Sequence, residues 1–284
     1  LKNKIFYTFA VILAVALTVK IFFLVFEKSV NNDVYESIQK EDVCVVLTYH
    51  RVRNRNPWNQ AIEKLTNNKE LTSYSVYTDE FQNHIEYLYE SGAYFTTPDE
   101  LEKFRQSGKF PHKCVLICFD DADVSVYENA FPILKEKNIP FTLFVIAGQV
   151  GNKDFNNLEI SSWEQLRIMK DSGLAYFGSH TYDMHYLEDN QAGFLEEGMY
   201  EEFKTDIEKS REVIKKELGV EVSSLAYPFG EASDVVADSV REAGFDSAFI
   251  LSPHPVDSAS NAYYQCRYLV DRHNFDKIVI PWFE

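Results

Sequence analysis

The stretch KCVLICFDDAD, residues 113–123, runs six apolar residues directly into two adjacent carboxylates, Asp120 and Asp121. A run that is continuously apolar, not alternating, reads as a strand buried on both faces, the kind found in parallel sheets covered by helices. Ionised carboxylates are seldom buried unless they are paired, hydrogen-bonded or bound to a metal. The C-terminal end of this strand is therefore expected to be a place that needs negative charge.

Outward from that strand, the chain alternates strand-like and helix-like segments. VCVVLTY (43–49) reads as a strand, and TDEFQNHIEYLYESG (78–92) as a helix with a Thr cap and a Gly stop. A short AYFTT strand precedes TPDELEKFRQSG, a helix with Pro in its first turn. After the strand at 114–119 come a helix in VYENAFPILKEKN and a strand in PFTLFVI. SSWEQLRIMKDSG carries a capping box, with Glu164 three residues after Ser161. The pattern goes on through LAYFGSH, a long amphipathic helix at 200–219, SSLAYPF, SDVVADSVREAG, FDSAFIL and YYQCRYLV, and closes with a helix near 273–280. Repeated βα units with doubly buried strands predict an α/β fold built on a parallel sheet. About seven strands favour closure into a barrel. Polar stretches at 51–77, 188–198 and 252–262 each follow a strand, so loop elaboration falls on one face.

Composition narrows the classes. The chain has 284 residues, 45% hydrophobic and 15% aromatic, enough for a packed core. A net charge of −16 argues against nucleic acid, whose binding depends on Lys and Arg neutralising phosphates. An acidic shell suits a cationic glycan but more often serves only solubility. Residues 5–26 form an apolar run interrupted chiefly by Lys20 and preceded by Lys2 and Lys4, long enough to span a bilayer with the N-terminus inside. A cleaved signal peptide is the rival. The small triplet Ala14-Val15-Ala16 lies inside the run, however, and cleavage there would leave an apolar tail, so an anchor is expected. The expected organisation is an anchor at 1–26, a polar stalk at 27–42 and one catalytic domain at 43–284. Of four cysteines, Cys44, Cys114 and Cys118 fall in core strands and read as buried thiols.

Several strand ends carry polar groups that a core would not select. The first ends in Tyr49-His50, another in Asp120-Asp121, a third in Ser179-His180 with His185 close behind, and a later one in AYPFG, 226–230. In a parallel sheet all of these project to one rim. Two histidines and a carboxylate suit a divalent metal with open positions for water and substrate. One carboxylate of the pair can then ligate while the other takes a proton from water, and His50 is the available acid. Each signal alone is weak, since most DD pairs are solvated turns and a histidine after a strand is usually structural. Their recurrence at matching strand ends is what makes a metal site the expectation. Asp123, Asp183, His254 and His273 read as surface or loop residues, and His84 and His112 stand alone.

These motifs resemble the carbohydrate esterase family 4 polysaccharide deacetylases, with their NodB homology domain. FDDAD is similar to that family's first motif, SHTYDMH to its histidine motif and AYPFG to its third. LTYHRV, NAFPILKEKNIPFTLFVI and LAYPFG look more narrowly like the biofilm poly-β-1,6-N-acetylglucosamine deacetylases within it. The resemblance covers roughly residue 43 onward. It implies a (β/α)7 barrel and metal-dependent removal of N-acetyl groups from an exopolysaccharide, at the outer face of the membrane and beside the synthesis machinery. It makes Asp120 the base and His50 the acid, and assigns Asp121, His180 and His185 to one divalent ion, zinc first, with iron, cobalt or nickel as alternatives. Tyr227 and Phe229 fall at the oxyanion and substrate, with the Phe229 N–H facing the oxyanion.

The sequence also departs from the family pattern. Ala122 replaces a glycine, and the two histidines are separated by four residues where the broader family has three. The broader family's arginine before the third motif is absent, Leu225-Ala226 standing there, which puts in doubt any base-tuning salt bridge carried over from peptidoglycan deacetylases. Rival readings are a deacetylase of peptidoglycan or chitin and a glycan-binding module with a vestigial site. A metal phosphoesterase is more remote, because no cationic cluster awaits a phosphate.

Overall fold

The computed structural model describes residues 41–57 and 72–283. The expected anchor and most of the stalk lie outside the described residues, among which no helix is long and apolar enough to cross a membrane. Strand β1 (Cys44–Tyr49) is followed by β2 (Arg51–Arg53), β3 (Ser75–Tyr77), α1 (Thr78–Glu90), β4 (Tyr94–Phe95), α2 (Pro98–Ser107) and β5 (Cys114–Phe119). Next come α3 (Phe131–Glu136), β6 (Phe141–Val145), α4 (Trp163–Asp171), β7 (Ala175–Ser179), β8 (Leu187–Glu188) and β9 (Gln191–Ala192). The chain ends with α5 (Tyr200–Leu218), β10 (Ser224–Ala226), α6 (Asp234–Glu242), β11 (Ser247–Phe249), β12 (Tyr268–Leu269) and α7 (Phe275–Phe283).

Hydrogen bonding orders the main sheet β11-β10-β7-β6-β5-β1-β12, with β4 beside the start of β5. Every pairing in it is parallel. The main path has the seven strands expected, and the sheet curls so that its two ends approach. They are joined by one parallel bridge, Phe249 to Gln265, and not by a continuous ladder.

Residue parity explains the doubly buried runs. Cys44 and Val46 on β1 and Cys114, Leu116 and Cys118 on β5 share one core cluster with Phe144, Ala226 and Phe249, inside the curl. The alternate residues face the helices: Tyr49 and Phe119 pack on Phe81 of α1 with ring centroids 5.1 and 5.8 Å apart. Both strands are buried along their full length, as their composition requires. Helix α5 buries Phe203, Ile207, Ser210, Ile214 and Leu218, a single stripe at three- and four-residue spacing, and stops at Gly219 with φ 69°.

Several expectations shift. The cap of α1 is Tyr77, whose N–H donates to Glu80, and not Thr78. The cap of α4 is Ser162 with Gln165, one residue beyond the expected box. Ser161 is fully buried instead, its N–H donating to the Ala122 carbonyl. The ends of the 51–77 stretch pair as the parallel ribbon β2–β3, and β8–β9 form a small antiparallel pair within the second polar stretch. Cys44 and Cys114 are not free thiols: they are register partners on β1 and β5 and are joined by a disulfide, leaving Cys118 and Cys266 reduced. Asp123 is buried, not a surface residue, and accepts the Ser125 N–H; His84, which stands alone in the sequence, is buried and stacks on Phe275 at 3.9 Å.

Candidate active site

Strand parity also delivers the site. Thr48 and Cys118 face inward and touch at 3.2 Å, so the next inward positions are His50 and Asp120, just past the strand ends. Asp121 would face outward if the pleat continued. Instead Asp121 and Ala122 take φ of 70° and 61°, the left-handed region, which breaks the pleat and turns Asp121 back to the rim. His180 follows β7 on the same rim, and His185 reaches it from the next loop. A cavity of about 90 Å³ is lined by His50, Arg51, Tyr74, Asp120, Asp121, His180, His185, Phe229 and Leu251. At the ~30 Å³ that a water occupies in the liquid, this is about three waters' worth.

Asp121, His180 and His185 offer ligand atoms all within 4.8 Å of one another. The Nε2 atoms of His180 and His185 lie 3.6 and 3.3 Å from Asp121 Oδ1. That oxygen is buried and, among the described residues, accepts no hydrogen bond. His180 Nδ1 donates to the Ala226 carbonyl at 2.7 Å, which fixes the tautomer and turns the Nε2 lone pair into the cavity. A buried anionic oxygen without a donor, facing two imidazole nitrogens, fits a divalent cation.

Asp120 has a partner the sequence did not announce. Arg267, fully buried just before β12, donates to both of its oxygens, at 2.7 and 2.9 Å. The doubt over a salt bridge to this carboxylate is removed: one is present, and its arginine comes from the far end of the sheet instead of the third motif. Its guanidinium also lies 5.3 Å from the Phe144 ring and 6.0 Å from that of Phe249, so aromatic faces replace part of its lost hydration. Arg51 plays the corresponding part for Asp121, donating to Oδ2 at 3.1 Å and leaving Oδ1 toward the histidines.

These contacts set the charge states. Burial alone would raise Asp120, but Arg267, with His180 and His50, outweighs it and holds the carboxyl below its usual range. Burial likewise opposes ionisation of Asp121, yet His185 and Arg51 hold it well below that range. Burial pulls His50 down to about 4, against the opposing pull of Asp120 and Asp121, so its resting imidazole is neutral. Its Nε2 stands 4.0 Å from Asp120 Oδ2.

Six of the seven candidate residues thus line one cavity. Tyr227 does not: its hydroxyl donates to the Tyr263 carbonyl and its N–H to that of Phe249. Phe229 lines the cavity with φ 61°, its ring 4.7 Å from His185. Arg51, Tyr74, Leu251 and Arg267 were not singled out from the sequence. Arg267 left the one usable signal, a lone charge inside the strand-like YYQCRYLV, the same anomaly that drew attention to Asp120.

Comparison with known proteins places this geometry in context. A family model described as polysaccharide deacetylase matches residues 107–248. The chain is 36% identical over 243 residues to a poly-β-1,6-N-acetyl-D-glucosamine N-deacetylase of Staphylococcus aureus strain MRSA252, covering 86% of this chain and 84% of that protein. It is 36% identical over 244 residues to the protein of the same name from Staphylococcus epidermidis, with the same coverage. Among solved structures, IcaB from Ammonifex degensii superposes with a TM-score of 0.75 at 34% identity, covering 86% of this chain and 99% of that one.

Proposed function

The chain belongs to the polysaccharide deacetylase family, and from that premise we propose that it is a metal-dependent hydrolase removing N-acetyl groups from poly-β-1,6-N-acetylglucosamine. The observation that carries this reading is a buried carboxylate held ionised by Arg267 beside a trio of Asp121, His180 and His185 on one rim. We read the curled sheet as the (β/α)7 barrel of that family.

In this reading Asp121, His180 and His185 hold one divalent ion, zinc first among ions that accept two imidazoles and a carboxylate. The ion, when bound, polarises the acetyl carbonyl and acidifies the attacking water. Asp120 takes the proton from that water; Arg267 fixes both of its oxygens, so its orientation costs nothing at the moment of reaction. The Phe229 N–H faces the developing oxyanion. His50 protonates the departing amine. It rests neutral, so as negative charge builds on the substrate it must first take up a proton, from solvent or the one that Asp120, 4.0 Å away, has accepted from water, and then pass it to the amine. Acetate and a cationic glucosamine residue are the products. The enzyme works outside the cell where the glycan emerges, with residues 5–26 as its anchor.

The test is acetate release from β-1,6-linked N-acetylglucosamine oligomers by metal-stripped and metal-restored protein, beside β-1,4-linked chitin oligomers. Release is expected only with metal and chiefly from the β-1,6 series. Asp120→Asn is expected to lower kcat by about 10²–10⁴-fold. No release with any of zinc, iron, cobalt or nickel would sink the reading and favour a glycan-binding module.

A further inference from the structure

The two histidines of the proposed metal centre are held in different ways. His180 is fixed at its ring, through Nδ1 and the Ala226 carbonyl. His185 has no such bond: among the described residues its Nδ1 has no hydrogen-bond partner. Ring packing surrounds it instead, with Phe229, His180 and Phe155 centroids at 4.7, 4.9 and 6.0 Å. Rings limit tilt but tolerate sliding. The position of His185 must therefore come from the backbone that leads to it.

That backbone, residues 181–184, is irregular, beginning at Thr181 with φ 74°. It is gripped from two sides. Ala147 and Gly148 donate their N–H groups to the carbonyls of Thr181 and Tyr182 at 3.0 and 2.8 Å. A Cβ on Gly148 would stand 2.5 Å from the Tyr182 oxygen, so this approach needs the glycine. From the other side, Asp206 of α5 accepts the Tyr182 N–H on Oδ1 at 2.7 Å and the Asp183 N–H on Oδ2 at 2.8 Å. Both oxygens of one half-buried carboxylate are used on two successive amides, and such charge-assisted bonds are shorter and roughly twice as strong as neutral ones. The same helix meets the segment again at Ser210, whose hydroxyl lies 2.8 Å from that of Ser179, directly before His180. One helix thus brackets the whole stretch from Ser179 to Asp183.

We infer that Asp206 is a positioning residue for the metal centre: by holding two amides ahead of His185 it sets where that imidazole stands relative to Asp121 and His180. The inference rests on reading Asp121, His180 and His185 as ligands. It assigns to α5, which carries none of those ligands, control over one coordination position.

The test is a double-mutant cycle on zinc affinity, measured by chelator competition with the full chain, with cobalt absorption reporting coordination. Asp206→Ala is expected to weaken zinc binding by about 10–100-fold. In a His185→Ala background the same change is expected to alter affinity by less than about twofold, because the residue it positions is gone. The cobalt spectrum of Asp206→Ala should approach that of His185→Ala. Asp206→Asn keeps one acceptor and should fall between wild type and Asp206→Ala; it carries the cycle if the alanine variant does not fold. Unchanged zinc affinity, or an equal loss in both backgrounds, would overturn the inference and make Asp206 an ordinary anchor of the fold. A wild-type chain that binds neither zinc nor cobalt would instead remove the metal-site reading beneath it.

Discussion

At Asp120, burial and a bidentate arginine pull in opposite directions, and the arginine wins. The base must be ionised to act, so its depressed pKa keeps it competent at pH values below those a buried carboxylate could otherwise use. Arg267→Leu removes the opposing positive charge and leaves the burial. The Asp120 pKa then rises, and the acid limb of the kcat/KM profile is expected to move to higher pH. Arg267→Lys keeps the charge but loses the fork and should move it less. A pH series of acetate release distinguishes the two, and an unmoved limb in the leucine variant would remove Asp120 as the base. Leaving one member of a buried pair alone also costs stability, about 3–5 kcal/mol, so rates should be normalised to the folded fraction.

Between elements, β1 and β5 carry half of the candidate residues that line the cavity, since His50, Asp120 and Asp121 leave from their ends. Their relative register fixes the His50–Asp120 separation. Six successive residue pairs set that register, and the first of them, Cys44–Cys114, is covalent. The bond closes a sequence separation of 70 residues. For a loop of that size the chain-entropy model gives about 4 kcal/mol, with measured values usually 2–4. Reduction is therefore expected to lower the unfolding free energy by about 2–4 kcal/mol, with midpoint and slope both fitted in urea because the reduced unfolded chain is less compact. Equal midpoints with and without reductant would show that strand pairing alone holds the register.

For the molecule as a whole, buried neutral histidines make acid a denaturant. His84, stacked on Phe275 and 3.3 Å from the Tyr49 hydroxyl, is pulled down to about 4 by burial, with Glu80 opposing. Its folded pKa lies below the unfolded value, so the unfolded chain binds more protons between the two. Its contribution is complete above about pH 6.5 and is lost as pH falls toward 4, up to about 3 kcal/mol. His84→Phe should flatten the fall in unfolding free energy between pH 7 and 4 by about that amount, measured by urea unfolding at each pH. Parallel slopes in both proteins would refute it. Acidification also relaxes the repulsion of a chain carrying −16, which acts the other way in both proteins and so cancels in the difference. The sequence by itself determined whatever depends on neighbours a few positions away. The apolar run at 114–119 specified a doubly buried strand, the stripe of α5 specified its buried face, and polar residues at strand ends marked the rim. Tertiary structure alone decided who meets whom across the sheet. Arg267 reaches Asp120 over 147 positions, Cys44 finds Cys114 over 70, and Tyr227 turns its hydroxyl to Tyr263 and away from the cavity. The physical reason is that side-chain periodicity is a local property of backbone geometry. Partnership between distant strands depends instead on how far the sheet curls and in what register it pairs, and no local stretch of sequence contains that information.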